Sequence, residues 1–363
     1  MQKEQLSNNK NSTLSVSQSL QSILARNWAL LFVLVLILIF SFTGINFFSY
    51  KNFQNILHLS TIYLLLTASE TFVIITGGID LSVGFVMGLS SVLSATIMRE
   101  LHAANFPPAL SISIGSIVGL IVCIIPGLIN GVLVTKYRVP SFISTLGMGG
   151  IASGITLVVC EGFPVTFLPP YLTEIGNGYL IYILPGKAIS FFNRPQGIDV
   201  EEIKELIRII PNSLMFNFIT LFILWHILKN TKFGQHTYAI GGSMDAAVRA
   251  GINTNKHLII IYVLSSFLAG LAGVFNVFQT GIGNFTPFTA MYELTAIAGV
   301  VIGGASLMGG KGRIVGSIIG VILLRIIENG LHLSGVDPFF RFIAIGLILI
   351  VAVVIDQSFP DLL

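Results

Sequence analysis

Five ionisable side chains lie inside stretches that are otherwise apolar: Glu70, Asp80, Glu293, Arg325 and Glu328. A charge in hydrocarbon is costly, so each needs a partner or a task. Arg325 and Glu328 are three residues apart and would share a helix face, which predicts an ion pair within the helix. Asp80 and Glu293 each open an apolar run, and each is followed two residues later by a hydroxyl, Ser82 and Thr295. N-terminal capping and the helix dipole account for both. Glu70, deep in its run beside Ser69, is the best candidate for the wall of a polar cavity. A hydrogen bond to a neighbouring helix is the competing reading.

No other group of residues suggests an enzyme. The six histidines are scattered without metal-ligand spacing, and Cys123 and Cys160 read as small buried side chains. The run GGASLMGGKGR, Gly303 to Arg313, has the look of a phosphate-binding loop. It fails because Ala305 replaces the first glycine, Gly312 replaces the hydroxyl residue, and no strand precedes it. Lys311 and Arg313 read instead as inside-facing charges at a tight turn. If the chain uses ATP, another subunit must bind it.

The elements that hold these residues are membrane helices. Only 10% of residues are charged and 54% are hydrophobic, against roughly 25% charged in a soluble domain. The fold class is therefore an all-α polytopic membrane protein, with no sign of nucleic-acid binding in a net charge of +3. With about 20 residues per crossing, helices are expected near 28–45, 55–77, 79–98, 110–135, 139–160, 211–228, 257–280, 291–309, 314–334 and 338–356. The Ser-, Asn- and Gln-rich residues 1–26 read as a disordered cytoplasmic tail, residues 27–357 as the membrane domain, and 358–363 as a short cytoplasmic tail. The basic residues concentrate in alternate loops, so both termini lie inside and ten spans fit. The long segment 163–210, in which acidic residues outnumber basic ones, falls outside, and the loop 229–256 falls inside.

Two short patterns recur. Asp80-Leu81-Ser82 matches Glu293-Leu294-Thr295, and Asn130-Gly131 followed by Pro140 matches Asn329-Gly330 followed by Pro338. The two sets run in opposite directions in this topology, as in an inverted repeat, where a pathway forms between the halves. The candidate pathway residues are Glu70, Asp80, Ser82, Asn130, Glu293 and Asn329. Glycine pairs at helical spacing, such as Gly115 and Gly119 or Gly299 and Gly303, suit close helix packing in lipid. The inside loop holds a helix-forming core, Asp245 to Ala250, between Gly241-Gly242 and Gly251, where another protein would push.

Several motifs resemble one family closely: ITGGIDLSVG at Ile75 to Gly84, YELTAIAGVVIGGASLMGGKGRIVGSIIG at Tyr292 to Gly320, the segment Asn130 to Gly147, and the FG…YAIGG…AA…GI loop. They are similar to the monosaccharide-type permeases of bacterial ABC importers, from about residue 50 to 356. The resemblance implies the ten-helix architecture of cobalamin-type (type II) importers and a multi-pass place in the inner membrane. It also implies a second permease subunit, a binding protein outside, and a separate cytoplasmic ATPase that uses ATP and Mg, with no cofactor in this chain. The ATPase-coupling loop then maps to Gly241, Gly242, Asp245, Ala246, Ala247, Arg249 and Gly251. The 163–210 segment is longer than the family norm, and its VEEIKELIRII stretch has the periodicity of an amphipathic helix. The expected cargo is ribose, galactose, xylose or a similar small polar ligand. The alternatives are a permease for nucleosides or branched-chain amino acids, and an ion-coupled secondary transporter.

Overall fold

The computed structural model describes residues 28–354, apart from 196, 198, 200, 201, 203, 204, 286–290, 338, 341, 344, 345, 348, 349 and 351–353. Both expected tails lie outside the described residues. The first helices are α1 (Trp28–Thr43), α2 (Tyr50–Leu59), α3 (Thr61–Ile75), α4 (Val83–Ala103), α5 (Pro108–Thr135) and α6 (Ser141–Cys160). An excursion follows with α7 (Leu172–Asn177), β1 (Tyr179–Leu184), β2 (Ala188–Phe191) and β3 (Ile207–Pro211). The chain continues through α8 (Asn212–Asn230), α9 (Lys232–Gly242), α10 (Met244–Arg249), α11 (Thr254–Thr280), α12 (Tyr292–Ile302) and α13 (Ile314–Leu333).

Helices thus occupy the first nine segments marked by the sequence. Among the described residues, five helices are long and apolar enough to cross a membrane: α5, α6, α8, α11 and α13. A sixth is added if α2 and α3, bent by 46° at Ser60, count as one. The expected span 291–309 shrinks to the 11 residues of α12, about 16 Å of rise, which is half the hydrocarbon thickness. It stops because Gly303 and Gly304 turn the chain, Gly304 with φ +87°. The expected tenth helix falls largely on residues outside the description.

Every residue of helix α3 is buried, its polar Thr67, Ser69, Glu70 and Thr71 included, as in a helix at the centre of a bundle. Helix α11 packs against α3, α4 and α5. Glycine sets these approaches. Gly127 and Gly131 of α5 lie against the α11 backbone at Val263 and Ile259, where an added Cβ would stand 2.8 Å from either Cα. Gly299 and Gly303 of α12 face Gly320 and Gly316 of α13 backbone to backbone. Gly150 and Gly154 of α6, by contrast, have nothing within 4 Å among the described residues.

The all-α expectation needs one correction. The excursion carries a three-stranded antiparallel sheet in the order β2-β1-β3. The YLIYIL of β1, rich in Tyr and Ile, turns through Pro185-Gly186-Lys187, with Gly186 at φ +74°, into β2. The stretch expected as an amphipathic helix ends as strand: Ile207–Pro211 pairs with β1, Ile209 opposite Ile181. Its branched side chains suit a pleated surface better than a helix with so little to bury it. Tyr182, Leu184 and Leu206 form a small core of their own there. The excursion closes on itself, since the Asn212 amide donates to the Gly178 carbonyl at 2.9 Å.

Candidate functional site

The acidic residues gather around the link between α3 and α4. Gly77 takes φ +81°, and Gly78 passes so close to Tyr262 of α11 that a Cβ there would stand 2.7 Å from the phenol oxygen. The link is stitched to the start of α6: the Ile79 amide donates to Ser141 Oγ (3.2 Å) and the Leu81 amide to Thr145 Oγ1 (3.1 Å). Asp80, between them, is turned fully inward. Its Oδ1 accepts from the Ser82 amide (3.0 Å) and hydroxyl (2.5 Å), and its Oδ2 accepts from Ser265 Oγ of α11 (2.8 Å).

The network continues through Asn130 of α5, which donates from Nδ2 to Ser82 Oγ at 3.2 Å and accepts at Oδ1 from Ser144 of α6 at 3.0 Å. Three of the candidate residues, Asp80, Ser82 and Asn130, are therefore one hydrogen-bonded chain across α4, α5, α6 and α11. The capping expectation for Asp80 is modified. Ser82 is the N-cap of α4 without a side-chain capping bond, and Asp80 holds the turn ahead of it.

Glu293 lies in the first turn of α12, where a carboxylate suits the helix dipole. Its Oε2 presses on Gly84 in the first turn of α4, leaving no room for a Cβ there. The two matching segments of the sequence, around Asp80 and Glu293, thus touch. Glu70 of α3 is fully enclosed by protein rather than lining an open cavity, and Ser69 bonds back to the Leu66 carbonyl of its own helix. Asn329 lies elsewhere, accepting from Asn52 of α2 at 2.9 Å. Arg325 and Glu328 form the expected ion pair, and the Arg325 guanidinium also stacks 4.5 Å from the Tyr63 ring.

The loop between α8 and α11, expected to lie inside, folds into two short helices. The α10 N-cap is Ser243, whose Oγ accepts from the Ala246 amide at 3.3 Å, and Gly251 ends the turn at φ +81°. Asp245, Ala246, Val248 and Arg249 are exposed, as are Met244 and Gly242. Ala247 faces the other way: it is 2% exposed and packs with Ile240 and Leu258. Gly241 presses on the Ile75 carbonyl at the end of α3 and on the Gly310 amide, and that amide itself donates to Ile75 at 2.8 Å. Tyr238 Oη donates to the Gly312 carbonyl at 2.8 Å, and burial raises the phenol above its usual pKa. The loop is thereby clamped to the foot of α3 and to the glycine turn 303–313, five residues before Asp80.

Sequence reading missed the partners that complete these contacts: Ser265, Ser144, Thr145, Ser141 and Tyr238. Ser141 and Thr145 did carry a signal, being one turn apart at a helix start.

A family model described as the branched-chain amino acid transport system / permease component matches residues 52–353. The chain belongs to this permease family. Over 330 residues the permease is 35% identical to the ribose import permease protein RbsC of Escherichia coli K12, covering 91% of this chain and 93% of that protein. It is 33% identical to the fructose import permease protein FrcC of Rhizobium meliloti, over 94% of this chain and 88% of the other. It is 31% identical to the galactose/methyl galactoside import permease protein MglC of Escherichia coli K12, over 90% and 92%. No solved structure matches the permease.

Proposed function

We propose that this chain is the membrane subunit of an ATP-driven importer that carries a monosaccharide, such as ribose or a hexose, inward across the bacterial cytoplasmic membrane. The observation that carries this reading is the near full-length similarity to the ribose permease, joined by relatives named for fructose, galactose and allose. The family description names branched-chain amino acids, but the full-length relatives named above are sugar permeases. A second permease subunit, a separate ATPase using ATP and Mg, and an extracytoplasmic sugar-binding protein complete the proposed importer.

In this mechanism the ATPase pushes on the exposed face of α10, formed by Met244, Asp245, Val248 and Arg249. Gly241 and Tyr238 pass the displacement to Ile75 and the 303–313 turn. The foot of α3 then moves the link that carries Asp80, and with it the four helices joined by the Asp80–Ser82–Asn130 network. Because these residues are buried, they serve as the hinge of the pathway, with the sugar-contacting surface left to the cavity between the two permease subunits. Deletion of the gene should abolish uptake of one radiolabelled monosaccharide and spare leucine and uridine. Loss of leucine or uridine uptake with normal sugar uptake would overturn the assignment.

A further inference from the structure

Arg325 of α13 holds a guanidinium in the apolar interior. It is 8% exposed, and its Nε is buried without a hydrogen-bond partner. Glu328, one turn on along the same helix and partly exposed, pairs with it. The guanidinium also lies 4.5 Å from the centroid of the Tyr63 ring on α3. Tyr63 in turn lies 5.0 Å from Tyr292, the first residue of α12, with the rings tilted by 42°. Tyr292 packs against two hydrophobic clusters, one built around Phe72 and Tyr262 and the other around Val86 and Cys123. Its Cβ is 3.4 Å from the position a Cβ would take on Gly84 of α4. One cation and two rings therefore join α13, α3, α12 and α4.

Packing alone does not account for an arginine here. Desolvating an ion pair costs about as much as the pair returns, and apolar residues of similar size often serve as well or better. An ionisable side chain kept inside a membrane bundle therefore points to a task. A cation over an aromatic face is attracted by the ring, most strongly where water is excluded.

The place of the contact in the bundle indicates the task. At the foot, the Gly310 amide, just before α13, donates to the Ile75 carbonyl at the end of α3 (2.8 Å). One turn up, the hydroxyls of Thr71 and Ser317 share a hydrogen bond at 2.8 Å. Arg325 and Tyr63 meet near the opposite end of α3, about 17 Å of helix rise above the foot. There the chain is just short of its 46° bend at Ser60.

We infer that Arg325 is a positioning residue for transport. Its contact with Tyr63 pins the upper end of α3 to α13, as the glycine turn pins the lower end. The two helices then move as one lever, and displacement of the 229–256 loop reaches Tyr292 and the contact of α12 with α4. The role in transport rests on the importer reading above; the pin itself does not.

Two measurements test it. The first uses the importer reconstituted with its ATPase and binding protein. Arg325→Met combined with Glu328→Gln leaves no charge unpaired and should unfold no earlier than wild type. It should nevertheless take up radiolabelled ribose about tenfold more slowly. Tyr63→Leu should lose as much, and adding it to the charge-free pair should cost little more. Tyr63→Phe, which keeps the ring, should stay within about twofold of wild type. The second measurement is hydrogen–deuterium exchange of the permease alone in lipid nanodiscs. The charge-free pair should exchange about fivefold faster at Thr61–Leu66 and unchanged at Val73–Ile75. Earlier unfolding of that pair would make Arg325 a stability residue and overturn the proposal. So would near-normal uptake, equal losses in Tyr63→Phe and Tyr63→Leu, or unaltered exchange. A wild-type importer that ignores every sugar would strike the importer reading, while the exchange experiment would still decide the pin.

Discussion

Gly241→Ala is the most direct probe of how the 229–256 loop is joined to the helix bundle. The new Cβ would lie 2.6 Å from the Gly310 amide nitrogen and overlap the Ile75 carbonyl outright. Restoring a normal separation of about 3.5 Å from the Ile75 carbonyl requires the helix end to shift by roughly 2 Å. Both neighbours are backbone, so no side chain can swing aside, and overpacking of this kind costs about 1–3 kcal/mol. Gly242, one residue on, has nothing within 4 Å of its virtual Cβ and supplies the control. If the strain falls on the seated loop, ligand-stimulated ATP hydrolysis by the assembled importer should drop about 5- to 150-fold in Gly241→Ala. Gly242→Ala should remain within twofold of wild type. The assay uses importer reconstituted with its ATPase and binding protein, with the amount of monodisperse permease measured in parallel. Equal activity in the two variants would refute a rigid link from the loop to Ile75.

Val248→Glu, on a side chain 55% exposed, should insert normally and lose co-purification of the ATPase. Ala247→Glu should lower the yield of folded permease itself, because that position packs against Ile240 and Leu258. Asp80→Ala leaves the Ser82 and Ser265 donors without their acceptor and should lower stability by about 1–3 kcal/mol, read as an earlier thermal unfolding in detergent. Asp80→Asn, which keeps one acceptor oxygen, should lose less. A cysteine at Gly197 should react with an impermeant thiol reagent in intact spheroplasts; labelling only after disruption would place the sheet on the inner side.

The positions of nine helices were legible because long apolar runs and their punctuation survive in any context. The length of α12 was not: Gly303-Gly304 reads equally well as helix packing or as a turn, and here it is both the end of the helix and its contact with Gly316. The sheet was hidden because branched residues such as Ile207, Ile209 and Ile210 fit a helical period and a pleat alike. Asp80, Ser82 and Asn130 stood out as polar residues in apolar surroundings, and the structure joins them. Their partners did not stand out, since serines within apolar helices, such as Ser144 and Ser265, commonly bond to their own backbone. Ala247 shows the limit of composition. Its small size suited a cleft in a partner and equally a cleft in its own chain, and the packing with Leu258 decides between them.

The hydrogen bond from Asn212 to Gly178 makes the three-stranded sheet a cassette. The polypeptide leaves the bundle and returns at adjacent points, so everything between them can lengthen, shorten or be replaced while α6 and α8 keep their register. Loop closure costs little more for a long excursion than for a short one. Joining residue 178 directly to 212 through a brief linker should therefore yield a minimal permease. The Pro185-Gly186 tip, in turn, is a ready place to insert an epitope or a fluorescent domain.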